Sequence, residues 1–173
     1  MTLQAISQED ENSSYSINLS GTSLADRDIF EYMHSMFAKH NVDPKRICFE
    51  ITETAAISHL NSALKFIEQM TSIGCKFSLD DFGSGLSSFS YLQKLPVSTI
   101  KIDGVFVRDI NENHVNRIFV ENIQRTAVAM NIKVVAEFVE SNEIEQVLKS
   151  IGIDFVQGYH IHKPELWYTG IKD

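Results

Sequence analysis

The stretch KVVAEFVESNEIEQVLKSIGIDFVQGY, residues 133–159, decides the fold. KVVAEFVE at 133–140 is short, apolar and β-branched, and reads as a strand. Residues 141–151 then place Ile144, Val147, Leu148 and Ile151 on one helical stripe. Ser141 or Asn142 can cap that helix and Gly152 can stop it. IDFVQGY at 153–159 reads as a second strand. A helix of this length between two strands is a right-handed crossover, so the two strands run parallel. Each strand also carries a polar side chain where it stops: Glu137 on the first, Gln157 on the second.

The same unit repeats toward the N-terminus. Apolar segments ending in polar side chains occur as YSINLS at 15–20, ICFEITE at 47–53, KFSLDDFG at 76–83 and STIKIDG at 98–104. Their polar ends are Asn18, Glu50, Asp80 with Asp81, and Lys101 with Asp103. Helical patterns lie between them. Residues 23–40 align Ile29, Met33, Met36 and Phe37, and residues 60–73 align Leu64, Ile67 and Met70 before Gly74. Residues 87–95 form a short helix ended by Pro96, and residues 113–130 carry Val115, Ile118, Phe119, Ile123 and Ala127. The order is β-α repeated six times, an α/β fold with a parallel sheet. A doubly wound sheet would gather its functional residues at one switch point and carry a G-x-G-x-x-G turn. Here every strand end is polar and that turn is absent, which favours one rim of a (β/α)8-like barrel. Six units in 173 residues fall short of the roughly 200–250 residues of a full barrel, and the deficit is expected at the N-terminus.

Composition narrows the function. The chain is 43% hydrophobic and 22% charged, which suits one globular domain. Fifteen basic against twenty-three acidic residues give a net charge of −8, which argues against binding a nucleic-acid polymer through a basic surface. A phosphorylated small molecule stays open, because bound cations can invert the local field. Two cysteines, Cys48 and Cys75, read as reduced intracellular thiols. The polar start QAISQEDENSS has no signal-peptide pattern, and no apolar run is long enough to span a bilayer, so a cytoplasmic location is expected.

Residue type gives the chemistry. Glu50, Asp80, Asp81 and Glu137 are hard anionic oxygen donors, and Asn18 adds a neutral oxygen. Such a set suits Mg²⁺, Mn²⁺ or Ca²⁺ rather than zinc. Adjacent aspartates suit a metal pair, in which one carboxylate bridges and its neighbour binds the second ion, as in two-metal phosphoryl transfer. Lys101 and Asp103 share a strand face, and Lys101 can orient a water or neutralise developing charge. His160 and His162 alternate in a way that a strand would place on one side.

Together NLSGTSL, FEITETAAI, GCKFSLDDFGSGLSSFSYLQKLP, IKIDGVFVRDI, VVAEFVE and VQGYHIHKP resemble the successive motifs of the EAL-domain family, the bacterial phosphodiesterases that linearise cyclic di-GMP. The likeness runs from about residue 15 to 165, and residues 1–173 are read as a partial EAL domain. The resemblance implies a TIM-like barrel whose first strand is antiparallel. It also implies attack of a metal-activated water on one phosphodiester bond, giving linear pGpG. It implies Asn18, Glu50 and Asp80 as ligands of a first metal, with Asp80 bridging to a second held also by Asp81 and Glu137. The metals would be Mg²⁺ or Mn²⁺, with Ca²⁺ inhibitory. Lys101 would hold the nucleophilic water, and Asp103 and Gln157 would orient water and substrate. Gln157, Gly158, Tyr159 and Pro164 would line the dinucleotide, and Glu53 would anchor the DDFGSG loop. A homodimer contact near Ser87–Leu95 is implied, as are upstream sensor or GGDEF domains and possible attachment to a membrane through them.

Three positions depart from the family pattern. No Glu-Ala-Leu-type triplet precedes Asn18, so one glutamate ligand of the first metal has no counterpart. Phe138 stands at the usual glycine of AEGVE, where a ring is expected to crowd the second metal. Ser98 stands where an aspartate is common. The reading is an EAL phosphodiesterase core with impaired activity. The alternatives are a degenerate module that binds cyclic di-GMP without turnover and an interaction domain that has lost the nucleotide.

Overall fold

A computed structural model describes residues 2–26, 28–84 and 89–165. The order opens with α1 (Thr2–Ile6), β1 (Tyr15–Asn18), α2 (Gly21–Ala25) and α3 (Ile29–His40). It continues with β2 (Ile47–Thr52), α4 (Glu53–Ser58), α5 (Leu60–Ser72), β3 (Lys76–Phe82) and α6 (Phe89–Leu92). It closes with β4 (Thr99–Ile102), α7 (His114–Ala129), β5 (Lys133–Ala136), α8 (Asn142–Ile151) and β6 (Phe155–Val156). Short 3-10 turns lie at Pro44–Arg46 and Gly104–Phe106.

The six strands form one sheet in the order β1-β2-β3-β4-β5-β6, and every pair is parallel. It is the curled wall of an incomplete barrel of the (β/α)8 kind. The antiparallel strand that the resemblance implies has no counterpart among the described strands.

Local chemistry explains the boundaries. Ser141 is the cap of α8, its hydroxyl accepting from the Ile144 amide, and Gly152 ends the helix in the left-handed region at φ 88°. Asn113 caps α7 through the Val115 and Asn116 amides. The apolar stretch read as one helix over 23–40 is two, because the chain leaves α2 at Asp26, which is extended. Of the helix expected over 87–95, Ser87 and Ser88 lie outside the described residues.

Strand alternation sorts the side chains. On β2 the buried residues Ile47, Phe49 and Ile51 alternate with Cys48, Glu50 and Thr52. Phe49 packs against Phe77 of β3 with ring centroids 5.5 Å apart, and both meet Phe66 of α5. Burying a phenylalanine in this way contributes about 1.5–3 kcal/mol. The core therefore lies between sheet and helices. The opposite series, Asn18, Glu50, Asp80, Lys101 and Glu137, is left to the inner face and its rim.

At the start of the sheet, Arg46 fastens the segment that precedes β1. Its guanidinium donates to the carbonyls of Ser13 at 3.0 Å and Asp10 at 2.7 Å, and it lies over the Tyr15 ring.

Candidate functional site

The register brings the strand ends level. Asn18 stands beside Glu50 across β1 and β2, and Thr52 stands beside Asp80 across β2 and β3. Lys101 stands beside Val135, two residues before Glu137. At the centre is the Lys101 ammonium. It lies 3.0 Å from Glu50 Oε2, 3.0 Å from Asp80 Oδ1 and 2.9 Å from Glu137 Oε1. The lysine side chain is 8% exposed. Burial pulls its pKa down, but the bonds to Glu137, Glu50 and Asp80 outweigh burial and hold it above the ordinary value.

Asp81 completes the acidic set. The pairing of β3 with β4 shifts between Leu79 and Phe82, and Asp81 sits inside that irregularity at φ 54°. The left-handed turn lets two consecutive aspartates serve one site, although a regular strand would send them to opposite faces. One oxygen from each of Asp80, Asp81 and Glu137 can be chosen within 4.8 Å of the others. Burial raises the Asp81 pKa, helped by Asp80 and Asp103. Burial also raises that of Glu137, with Lys101 opposing and Asp80 and Asp81 adding.

The donor set fits a hard divalent cation. All the charged donors are carboxylates. Asp80 Oδ1 is buried, and the Lys101 ammonium 3.0 Å away is its compensation. Glu50 reaches the group through Lys101. Asn18 is exposed at the end of β1, level with Glu50.

Glu53 lies elsewhere than a strand reading places it. β2 stops at Thr52, whose hydroxyl caps α4, and Glu53 is the first residue of that helix. It is 3% exposed, and its Oε2 accepts the Gly83 amide at 3.0 Å. Gly83 follows Phe82 at φ 99°, and a Cβ there would come within 2.8 Å of Phe106 and 2.9 Å of Phe119. The start of the DDFGSG loop is thus held from two sides. Gly85 lies outside the described residues.

The remaining expected residues are spread along the rim. Asp103 is half-buried and caps the Gly104–Phe106 turn, its Oδ1 accepting the Val105 amide at 2.9 Å. Gln157 is exposed, and its backbone bonds Ala136 and Val139 just beyond the short β6. Gly158 presses on the Val139 backbone, where any Cβ would collide. Tyr159 is exposed with Lys163 Nζ 5.8 Å from its ring centroid, and Pro164 is exposed. His160 and His162 are not on a strand, because β6 ends at Val156 and they lie in the turns that follow. They face Glu145 at 3.3 Å and Glu165 at 3.6 Å respectively. Ser98 bonds the Phe77 carbonyl from its hydroxyl at 3.1 Å, a structural role between β3 and β4.

Two features were missed in the sequence, though the usual glycine at position 138 of the AEGVE motif signals the second. One is the triple contact of Lys101. The other is Phe138, which takes φ 55° and lays its ring on Gly104 instead of among the carboxylates.

Comparison with known proteins decides the family, since the family model described as EAL domain matches residues 1–164. The chain belongs to the EAL domain family. The cyclic di-GMP phosphodiesterase PdeB of Shewanella oneidensis is 43% identical over 150 residues, 87% of this chain and 18% of that relative. The cyclic di-GMP phosphodiesterase PdeA of Borreliella burgdorferi is 37% identical over 151 residues, 87% of this chain and 22% of that relative. The chain therefore spans about a fifth of the length of these curated EAL relatives. The solved structure of the PaMucR phosphodiesterase in complex with c-di-GMP matches with a TM-score of 0.87 at 27% identity, over 96% of this chain and 67% of that one. Among the described residues, no helix is long and apolar enough to cross a membrane.

Proposed function

We propose that this EAL chain is the core of a cyclic di-GMP phosphodiesterase that hydrolyses one phosphodiester bond to give linear pGpG, with impaired turnover. The observation that carries the reading is the convergence of Asp80, Asp81 and Glu137 around the Lys101 ammonium. Its relatives' names supply the substrate.

Asp80, Asp81 and Glu137, joined by Glu50 and Asn18, are the residues that would hold Mg²⁺ or Mn²⁺. Such cations supply charge against the phosphate oxygens and acidify water. Lys101 would orient the attacking water by donating to its oxygen once a cation at the carboxylates frees one of the three N–H groups now given to Glu50, Asp80 and Glu137. Glu137, counted among the catalytic residues as well as the ligands, would act through the cation it helps to hold. Asp103 and Gln157 border the path of water and substrate. Gln157, Gly158, Tyr159 and Pro164 form the end of the rim on which the dinucleotide lies. Glu53 acts through the loop amide and keeps Asp80 and Asp81 in register. Within residues 1–173 no Glu-Ala-Leu glutamate adds its charge to Asn18 and Glu50, which is the ground for proposing impaired turnover by this segment. The proposal extends to a cytoplasmic homodimer within a longer signalling protein, with Ca²⁺ binding but not supporting the reaction.

A second reading, binding without turnover, is favoured by the ammonium that already satisfies three of the acids. Chromatography after incubating the chain with cyclic di-GMP in Mn²⁺ or Mg²⁺ separates the two. Slow pGpG formation that disappears in the Asp80→Ala, Asp81→Ala double variant supports hydrolysis. Calcium-dependent binding without product supports the second reading. Neither binding nor product overturns both.

A further inference from the structure

Ser78 is a buried polar residue of β3 with no role in the chemistry described so far. It is 3% exposed, and its hydroxyl oxygen has no hydrogen-bond partner among the described residues. A buried hydroxyl left unpaired opposes folding, and each such group in a native chain calls for a reason. Packing does not supply one, because alanine would fill nearly the same space without the polar atom. The strand register does. Ser78 pairs with Glu50 of β2 and with Thr99 of β4, and it lies two residues before Asp80 on the same face of β3. The hydroxyl is therefore on the inner face, directly below the carboxylates.

Without metal, Glu50 already has a donor. Its Oε2 takes a bond from the Lys101 ammonium at 3.0 Å, and that ammonium gives its other two N–H groups to Asp80 and Glu137. Ser78 is left out of this arrangement. A cation among the carboxylates takes over part of the compensation that Lys101 provides, and as the ammonium turns toward water Glu50 needs another donor. Ser78 is the hydroxyl in register with it. We propose that Ser78 is a positioning residue, whose hydroxyl donates to the Glu50 carboxylate in the cation-loaded site and holds it in place when Lys101 lets go. The inference rests on the metal reading above and adds a residue outside the acidic set.

The metal-free and the loaded chain give opposite signs for Ser78→Ala. In a chelator, the whole 173-residue chain loses an unpaired buried hydroxyl, so its melting temperature should equal or exceed that of the unsubstituted chain. In calorimetric titration with Ca²⁺, affinity should fall about fivefold, the worth of one net hydrogen bond, and by no less than about threefold. The rise in melting temperature that Ca²⁺ produces should shrink accordingly. Cys48→Ala, two residues below Glu50 on the same face, is the control and should keep Ca²⁺ affinity within about threefold. A smaller fall in Ser78→Ala would overturn the inference. So would a lower metal-free melting temperature, which would mean that the hydroxyl supports the fold itself, or an equal loss in Cys48→Ala, which would mean that any change to this face loosens the site. If the unsubstituted chain binds none of Ca²⁺, Mg²⁺ and Mn²⁺, the metal reading fails and this inference fails with it, whereas failure of the inference alone leaves Ca²⁺ binding by the unsubstituted chain intact.

Discussion

Replacing Lys101 by methionine keeps the stem and deletes the ammonium, leaving Glu50, Asp80 and Glu137 facing one another. Each of the three contacts is 2.9–3.0 Å long. At an effective dielectric of about 20, an ion pair at that distance is worth about 5 kcal/mol before desolvation. Burying the lysine offsets several kcal/mol of the sum, and in the variant the acids can escape by taking up protons. The net expectation is that of a broken buried ion pair, a loss of about 3–5 kcal/mol at neutral pH without metal. For a chain of this size that is a fall in melting temperature of about 6–20 °C. Thermal and urea melts in a chelator would measure it. Two further outcomes follow from the same geometry. Acidification should recover much of the loss, since protonated carboxylates no longer repel. Mg²⁺ or Ca²⁺ should raise the variant's melting temperature more than that of the unsubstituted chain, because the cation replaces the missing charge. A metal-free Lys101→Met chain that melts within about 1 kcal/mol of the original would refute the view that this lysine neutralises the site.

Glu53→Gln keeps the size and weakens a charge-assisted bond by about 1–2 kcal/mol. Hydrogen exchange at the Gly83 amide should then accelerate about tenfold and Ca²⁺ affinity should drop several-fold, whereas unchanged exchange would remove the tether from the argument. The pKa values of Glu137 and Asp81 are raised in the fold above their ordinary 4.5 and 3.8, so their neutral forms are the better accommodated. Their stabilising effect is complete below those ordinary values and is lost as pH rises through the folded ones. Relative to Glu137→Gln, the metal-free chain should therefore gain stability on going from pH 7 toward pH 4.5, as read by melts across that range. Burial, then Glu50, pushes the Cys48 thiol up to about 11, and burial, then Asp43, pushes Cys75 up to about 12. At pH 8 a thiol reagent should modify buried Cys75 only as fast as the chain opens and half-buried Cys48 slowly, since little of it is thiolate, and rapid reaction of Cys75 in the native chain would contradict its burial.

Element type was legible in the sequence wherever one physical rule acted alone. The Ser141 cap, the Gly152 stop and the apolar stripe of α8 fix that helix without reference to the rest of the chain. Strand ends were legible as polar residues after apolar runs, which is why Glu50, Asp80, Lys101 and Glu137 could be grouped before any register was known. Strand lengths were not. IDFVQGY keeps the alternation of a strand, yet only Phe155 and Val156 pair, with β5 the one described strand beside them. Glu53 was placed on a strand because its run continues through Thr52, whose hydroxyl instead begins a helix. The sharing of Lys101 among three acids depends on side-chain reach across β2, β3, β4 and β5, which no local pattern encodes. Which way the Phe138 ring turns is likewise not legible, because the sequence does not show the left-handed backbone that aims it at Gly104.

The strict succession of strands has a kinetic consequence. Every strand pairs only with its predecessor and successor in the chain, so no strand waits for a distant segment before it can join. Assembly of such a wall is stepwise, and opening can begin at either outer strand without dismantling the middle. Lys101 on β4 and its three partners, on β2, β3 and just past β5, belong to the four central strands. The last strand, two residues long, is the natural place for opening to begin, and Gln157 goes with it. Exchange protection should therefore grade from the outer strands inward. The acidic centre would persist in partly opened chains that have already released the rim.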